Sequence, residues 1–257
     1  MNLPNRHIQN LLDCLTRSRL SFALYRLPWT DECYFVLQQS GDVEQLADIR
    51  ELNKKKGFVM APFLQSDHHP LIVIRPDITA YDWDEISEAI SSLECADALL
   101  TCKNQTEKLS PFVSEETDKE RYTQAFERFI TPLQKKHFQK LVLSRSSTKH
   151  INDDFSPLAA FVRACNNYPR MMIYLCHTPV SGTWVGSTPE ILLSGHGKEW
   201  HTVALAGTMP MQNEVMPMDW DKKNQDEQGY VADYIRRIIK KFGNKMNEKG
   251  PYTARAG

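Results

Sequence analysis

Short apolar runs alternate with longer amphipathic patterns along the chain, and this alternation restricts its fold more than any other feature. Apolar runs bounded by turn residues predict β-strands at 33–37, 57–63, 71–74, 140–145, 171–176, 183–187, 190–194 and 200–206. Apolar residues at helical spacing predict helices at 5–19, 82–93, 122–133, 157–165 and 230–242. The order of these elements favours an α+β fold, with a mostly antiparallel sheet and helices packed on its outside.

The charge balance is typical of a soluble globular protein. The chain has 31 basic and 32 acidic residues and a formal net charge of −1, so no nucleic-acid partner is expected. No apolar run approaches the roughly 18 residues of a membrane helix, and the start of the chain lacks the pattern of a secretory signal. The sequence therefore predicts a cytoplasmic protein with no membrane partner.

The cysteines and histidines do not form a metal or disulfide pattern. No two of the six cysteines are spaced as CxxC, and the eight histidines include no HExxH pair. Most of the cysteines lie in or beside apolar runs, which is typical of reduced thiols buried in a cytosolic protein. They are Cys14, Cys33, Cys95, Cys102, Cys165 and Cys176.

A polar segment at 103–117 reads as a connector between two parts of the chain. It predicts a boundary that separates residues 1–117 from residues 118–257. We find neither an internal repeat nor a low-complexity tract, so each part is interpreted as ordinary globular sequence.

Lys140 stands between an amphipathic helix and an apolar strand pattern. Side chains alternate along a strand, so Lys140 shares a face with Val142 and Ser144. Partial burial lowers the pKa of a lysine and can make it a base near neutral pH. The alternative is a lysine at a strand end that reaches back to solvent.

Two glutamates are also unusually placed. Glu190 follows Pro189 between two predicted apolar strands, where burial would raise its pKa and suit a general acid. The alternative is a carboxylate at the rim that pairs with an arginine. Glu227 precedes Val231 by one helical turn, on the stripe predicted to face the core. A carboxylate there suits the helix dipole and could bind Mg²⁺, or it could simply cap the first turn.

The segment 204–210 predicts a strand that runs into a tight turn. Its small residues would let a ligand approach the backbone, and the amides of Gly207 and Thr208 could bind a carboxylate. Many strand ends share this pattern, so it is weak evidence by itself.

Four motifs together resemble, in order and spacing, those of the chorismate-utilising enzymes. The motifs are KLVLSR at 140–145, GSTPE at 186–190, ALAGT at 204–208 and KNQDEQGYV at 223–231. The family includes isochorismate and salicylate synthases and the large subunits of anthranilate and aminodeoxychorismate synthases. The resemblance is specific over 118–257, the predicted chorismate-binding catalytic region. It is loose over 1–117, which corresponds to the variable N-terminal α/β part of the fold.

At two positions, the residues of this sequence resemble those of the family members that use water as the nucleophile. Those members have a lysine where Lys140 stands, whereas the ammonia-using anthranilate type has glutamine. Aminodeoxychorismate synthases have a nucleophilic lysine at the position of Ala206. Because alanine has no nucleophilic side chain, the resemblance implies that their covalent intermediate does not form here. The resemblance is greatest to isochorismate synthases of menaquinone or siderophore synthesis, which implies no glutaminase partner.

The resemblance implies a role for each candidate residue. Lys140 would deprotonate the water that attacks C2 of chorismate, and Glu190 would protonate the departing C4 hydroxyl. Glu227 would hold Mg²⁺ at the ring carboxylate. The segment formed by Ala206, Gly207 and Thr208 would bind the substrate, with the last two seating that carboxylate.

The family pattern continues beyond the last residue of this sequence with a second metal-binding glutamate and further strands. The resemblance therefore implies a chain that is truncated at its C-terminus, with an open sheet edge that favours association. Whether such a chain is active alone stays open. A salicylate synthase, a glutaminase-coupled synthase and a non-catalytic binding module are the alternatives. Gln228 also departs from the histidine that many members carry.

Overall fold

The chain forms two compact units. The computed structural model describes residues 1–93, 115–152, 154–211, 213–243 and 245–255. The first unit contains residues 1–93 and 154–189, and the second contains the described residues of 115–152 and 190–255. Most of the predicted connector 103–117 lies outside the described residues, so the boundary after residue 117 stays a prediction.

Antiparallel strands form two sheets in the first unit. The strands of the larger sheet lie in the order Ile78–Tyr81, Tyr34–Gln38, Ser21–Arg26, Met172–Thr178 and Gly182–Thr188, and those of the smaller sheet in the order Glu44–Leu46, Leu71–Ile74 and Phe58–Met60. In the larger sheet Phe22 lies opposite Leu37 on one side and His177 on the other. The strands are β1 (Ser21–Arg26), β2 (Tyr34–Gln38), β3 (Glu44–Leu46), β4 (Phe58–Met60), β5 (Leu71–Ile74), β6 (Ile78–Tyr81), β7 (Met172–Thr178) and β8 (Gly182–Thr188).

Both faces of the larger sheet are covered. Three helices pack on one face: α1 (Arg6–Leu15), α2 (Asp82–Ser91) and, later in the chain, Pro157–Asn167. On the other face, Ala23 and Cys176 pack against Ile72 and Ile74 of the smaller sheet. Apolar area therefore leaves water on both faces. Among the described residues, every buried core residue lies in this unit.

Sequence-predicted elements in this unit are confirmed where their periodicity is clear. The three helices begin within a residue or two of their predicted starts, and α1 begins at an Asn5 cap. The sequence missed strands β1, β3 and β6. The side chains of β1 are buried on both faces, which removes the alternation expected of a half-buried strand. The expected α+β fold with antiparallel sheet is confirmed.

The second unit contains two long helices and a small hairpin. The helices are α3 (Glu115–Gln134) and α5 (Lys222–Ile239), so the helix Pro157–Asn167 is α4. Strands β9 (Ser194–His196) and β10 (Glu199–His201) form the hairpin. Although α5 has the predicted periodicity, none of its side chains is buried, and Tyr230 and Tyr234 are exposed.

Three strand predictions in the second unit are wrong. Residues 140–145 have no regular secondary structure, and only the last residue of the predicted strand 190–194 lies in a strand. The predicted strand 200–206 ends at His201, so the segment 204–210 does not contain the expected strand. An apolar run forms a strand only where a second strand pairs with it. Within the described part of the chain, no strand pairs with residues 140–145.

Two further expectations concern membranes and cysteines. In the part of the chain that the structure describes, no helix is both long and apolar enough to cross a membrane. Cys33, Cys165 and Cys176 are buried thiols, and Cys14 is a partly buried thiol, which confirms the prediction for these four. Cys95 and Cys102 lie outside the described residues.

Candidate active site

Lys140 and Glu227 form an ion pair within the second unit. The Lys140 Nζ atom donates a hydrogen bond to Glu227 Oε1 at 2.8 Å, although the two residues are 87 positions apart in the sequence. About a third of each side chain is accessible, 28% for Lys140 and 32% for Glu227. The structure therefore joins the predicted base to the predicted metal ligand in a half-buried contact.

The N-terminal turns of α5 position Glu227. Asp221 caps the helix by accepting a hydrogen bond from the backbone N–H of Asn224 at 2.8 Å. Glu227 follows in the second turn, so its charge is governed by its direct contacts more than by the helix dipole, which acts mainly on the first turn.

The pKa of the Glu227 carboxyl group is lowered from its usual range. The main cause is the hydrogen bond from Lys140, and the backbone N–H of Gly207 and the charge of Lys223 contribute in the same direction. Partial burial opposes them by raising the pKa. Glu227 is thus held as a carboxylate, the form that can bind a cation.

The segment 204–208 lies against the same face of α5. The backbone N–H of Ala206 donates to Gln228 Oε1 at 2.8 Å, and that of Thr208 donates to Asn224 Oδ1 at 3.1 Å. The backbone N–H of Gly207 lies between them in the chain and helps to lower the pKa of Glu227. Positions i, i+3 and i+4 of a helix share one face, so three consecutive amides meet three side chains of α5.

This arrangement changes the expectation for the amides of Gly207 and Thr208. The sequence suggested that they seat a substrate carboxylate, but here Asn224 accepts from Thr208, and the Gly207 N–H acts on the carboxylate of Glu227. A substrate carboxylate would reach the Thr208 amide only by replacing Asn224 as its acceptor, and it would compete with Glu227 at Gly207. The structure does bring Ala206, Gly207 and Thr208 to the Lys140–Glu227 pair.

Gly207 adopts a backbone conformation that L side chains rarely take. Its φ is +71°, and a Cβ atom at this position would lie 3.1 Å from the carbonyl oxygen of Asn224. Glycine therefore permits the turn and the close approach of the segment to α5.

Replacing Gly207 with alanine is expected to destabilise the chain by about 1–2 kcal/mol, because alanine is strained at positive φ. Thermal unfolding would measure the effect. Gly229→Ala is the matched control: Gly229 lies in α5 with nothing within 4 Å of its Cβ position. That control should be neutral or slightly stabilising, since alanine favours helices. Equal stability of both variants would contradict the turn conformation.

Glu190 lies on an exposed segment that follows β8. The expectation that two apolar strands enclose it is wrong, because Leu192 is 89% exposed and Leu193 is 64% exposed. These residues precede the short β9 strand instead of forming a longer one. Glu190 belongs to the same unit as the Lys140–Glu227 pair, and its role as a general acid stays a prediction.

Sequence reasoning missed the roles of Asn224 and Gln228. Gln228 was noted only as a departure from the family's histidine, and Asn224 was not singled out. Both residues share a helix face with Glu227, and this spacing was the feature of the sequence that could have indicated their part in the site. Their polar side chains meet backbone groups of a segment that lies 16 to 24 positions earlier, and spacing along the chain does not reveal such contacts.

The described residues can contribute one carboxylate to a magnesium site. They contain no group of three or more His, Cys, Asp or Glu side chains placed to hold a metal ion. Mg²⁺ is commonly held by one or two carboxylates, with substrate and water oxygens completing its shell. Glu227 fits the first of these positions, provided that the cation replaces or shares its contact with Lys140.

The ion pair predicts a pH dependence of stability. A carboxyl pKa that is lowered by folding stabilises the native state at neutral pH, and this contribution is lost as pH falls through the folded pKa. The unchanged chain should therefore be more stable than Lys140→Met at pH 7. The difference should begin to decrease near pH 4, the ordinary pKa of a glutamate, and should disappear only below the lowered pKa of Glu227. Chemical denaturation at several pH values measures it, and a pH-independent difference would contradict the ion pair.

The comparisons with known proteins agree with the motifs of the site. A family model described as chorismate binding enzyme matches residues 49–253, which include all six candidate site residues. The search of curated proteins found no match. Because the family model covers most of the sequence, the chain belongs to the chorismate binding enzyme family.

Proposed function

We propose that this protein is an isochorismate synthase, which converts chorismate to isochorismate by adding water at C2 and releasing the C4 hydroxyl. Membership of the chorismate binding enzyme family supports chorismate as the substrate. Lys140 and Ala206 favour water over ammonia or a covalent lysine intermediate. The product would serve menaquinone or siderophore synthesis in the cytoplasm, where thiols such as Cys33 and Cys176 stay reduced.

The contact between Lys140 and Glu227 is the observation that carries this proposal, because it places the proposed base beside the proposed metal ligand. A cation bound at Glu227 would replace the hydrogen bond from Lys140 and favour the neutral form of its amine, which would accept a proton from water as the water oxygen bonds to C2. The ring double bonds shift and the C4–O bond breaks. Glu190 gives a proton to the departing hydroxyl, which leaves as water. One water enters and one leaves, so substrate and product are isomers.

Glu227 would hold Mg²⁺ together with oxygen atoms of the substrate and of water. Bound there, the cation would offset the negative charge of the ring carboxylate. The chain itself would contribute the orientation of Glu227, through Gly207 on one side and Lys140 on the other.

The test is to incubate the chain with chorismate, with and without Mg²⁺ and with and without ammonium, and to separate the products by chromatography. We expect isochorismate that requires Mg²⁺ and is indifferent to ammonium. Salicylate with pyruvate would indicate a salicylate synthase, and an aminated product would indicate a glutaminase-coupled enzyme. If chorismate binds but is never converted, the chain is a binding module and the proposal is wrong.

A further inference from the structure

We infer that Gln228 is a positioning residue that fixes the segment 204–208 on α5 and thereby orients Glu227. This inference rests on the proposed function. The Gln228 side chain bonds to the segment at two points: Oε1 accepts from Ala206 N–H at 2.8 Å, and Nε2 donates to the Ala204 carbonyl at 2.8 Å. One amide side chain thus meets a donor and an acceptor of the segment, as a neighbouring strand would.

The bonds on either side of Gly207 determine where its N–H points. Gln228 holds the segment before Gly207, and Asn224 holds Thr208 after it. Asn224 is itself fixed, because its Nδ2 donates to both carboxylate oxygens of Asp221 at 3.1 Å. The position of Gly207, whose N–H helps to lower the pKa of Glu227, is therefore fixed by contacts that do not include Glu227.

Orientation of Glu227 is the functional consequence. A carboxylate accepts about four hydrogen bonds, and its rotation decides which positions face a ligand. The hydrogen bond from Lys140 holds Glu227 Oε1, and the Gly207 N–H stabilises the negative charge of the same carboxylate. Without Gln228 the segment would lose its upstream anchor, Gly207 would move, and the carboxylate would sample other rotations. Residues that orient a metal ligand typically change metal affinity by about 10–100-fold when they are replaced.

The experiment compares Gln228→Met with Gln225→Met. Both substitutions remove a side-chain amide from α5 and nearly conserve its volume, but Gln225 Nε2 bonds to the carbonyl of Trp220 and does not meet the segment. Hydrogen exchange of individual amides is followed by NMR. We expect Gln228→Met to accelerate exchange at Ala206 and Gly207 by about tenfold, the loss expected for one hydrogen bond. The exchange rates of the amides of α5 should be unchanged in this variant. In Gln225→Met, the exchange rates of all amides of the segment 204–208 should be unchanged.

Steady-state kinetics then separate positioning from a merely structural role. We expect Gln228→Met to raise the half-saturating Mg²⁺ concentration by about tenfold or more, with kcat at saturating Mg²⁺ within about threefold of the unchanged chain. Gln228→Glu keeps an oxygen that can accept from the Ala206 N–H and should retain exchange protection there. It replaces Gln228→Met as the test variant if the methionine variant folds poorly.

Unchanged exchange at Ala206 and Gly207 would overturn the inference. So would acceleration that spreads through all of α5, because it would indicate loss of the helix rather than of one anchor. Failure of the proposed function would be distinct. It would be seen as an absence of chorismate turnover in the unchanged chain, whereas the exchange measurement decides the role of Gln228 without turnover.

Discussion

Replacement of Lys140 with glutamine is expected to reduce isochorismate formation by at least about a hundredfold, the lower range for loss of a general base. Glutamine is similar in length and still polar, but it cannot take a proton from water. It also removes the positive partner of Glu227, whose hydrogen bond to Lys140 Nζ is 2.8 Å long. Initial rates at saturating chorismate and Mg²⁺ measure the effect.

The matched control for this substitution is Lys222→Gln. Lys222 is also paired with an acid, since its Nζ donates to Asp226 Oδ1 at 2.6 Å, but its side chain is 82% exposed. Loss of an exposed pair changes stability little, so the control should keep its activity. Full activity of Lys140→Gln would show that another group activates the water.

Replacement of Glu227 with glutamine is the second change with a large expected effect. We expect the response of the rate to Mg²⁺ to be lost, with a decrease of at least about a hundredfold at Mg²⁺ concentrations that saturate the unchanged chain. The neutral amide is nearly the same size but binds Mg²⁺ far more weakly than a carboxylate. It also leaves Lys140 without its counter-charge. A Mg²⁺ titration of activity, with isothermal calorimetry of Mg²⁺ binding, measures both consequences.

Asp226→Asn is the control for the Glu227 variant, because it removes the neighbouring carboxylate. Asp226 pairs with Lys222 and not with Lys140. Its replacement should leave the Mg²⁺ titration unchanged. If Asp226→Asn abolished the Mg²⁺ response and Glu227→Gln did not, the assignment of the metal ligand would be wrong.

Periodicity predicted the helices of the first unit well because each is buried on one defined face. Ile8, Leu11, Leu12 and Leu15 recur on one side of α1, and all four are buried. The same signal misleads in the second unit. The apolar residues of α5 recur at helical spacing, and the helix forms, yet none of its side chains is buried. A periodic apolar pattern predicts that a helix forms, but it does not predict which element packs against that helix.

The candidate site could be predicted residue by residue but not as an arrangement. Lys140 and Glu227 were each singled out, but no rule of spacing relates positions so far apart, and their contact depends on tertiary structure. The backbone amides of Gly207 and Thr208 were interpreted as ligand donors because their acceptors on α5 are invisible in a local pattern. Glu190 was expected to be enclosed because the exposure of Leu192 could not be inferred from its apolar character.

Incorporation of oxygen from labelled water tests the central claim most directly. The reaction is run in H₂¹⁸O with Mg²⁺ and stopped early, and the isochorismate is analysed by mass spectrometry with fragmentation. We predict one heavy oxygen in the product, located at the C2 hydroxyl, with no labelled product when Mg²⁺ is absent or when Lys140 is replaced by glutamine. Isochorismate that forms without the label would contradict attack by water activated at Lys140, and so would a labelled product that forms equally well in the Lys140→Gln variant.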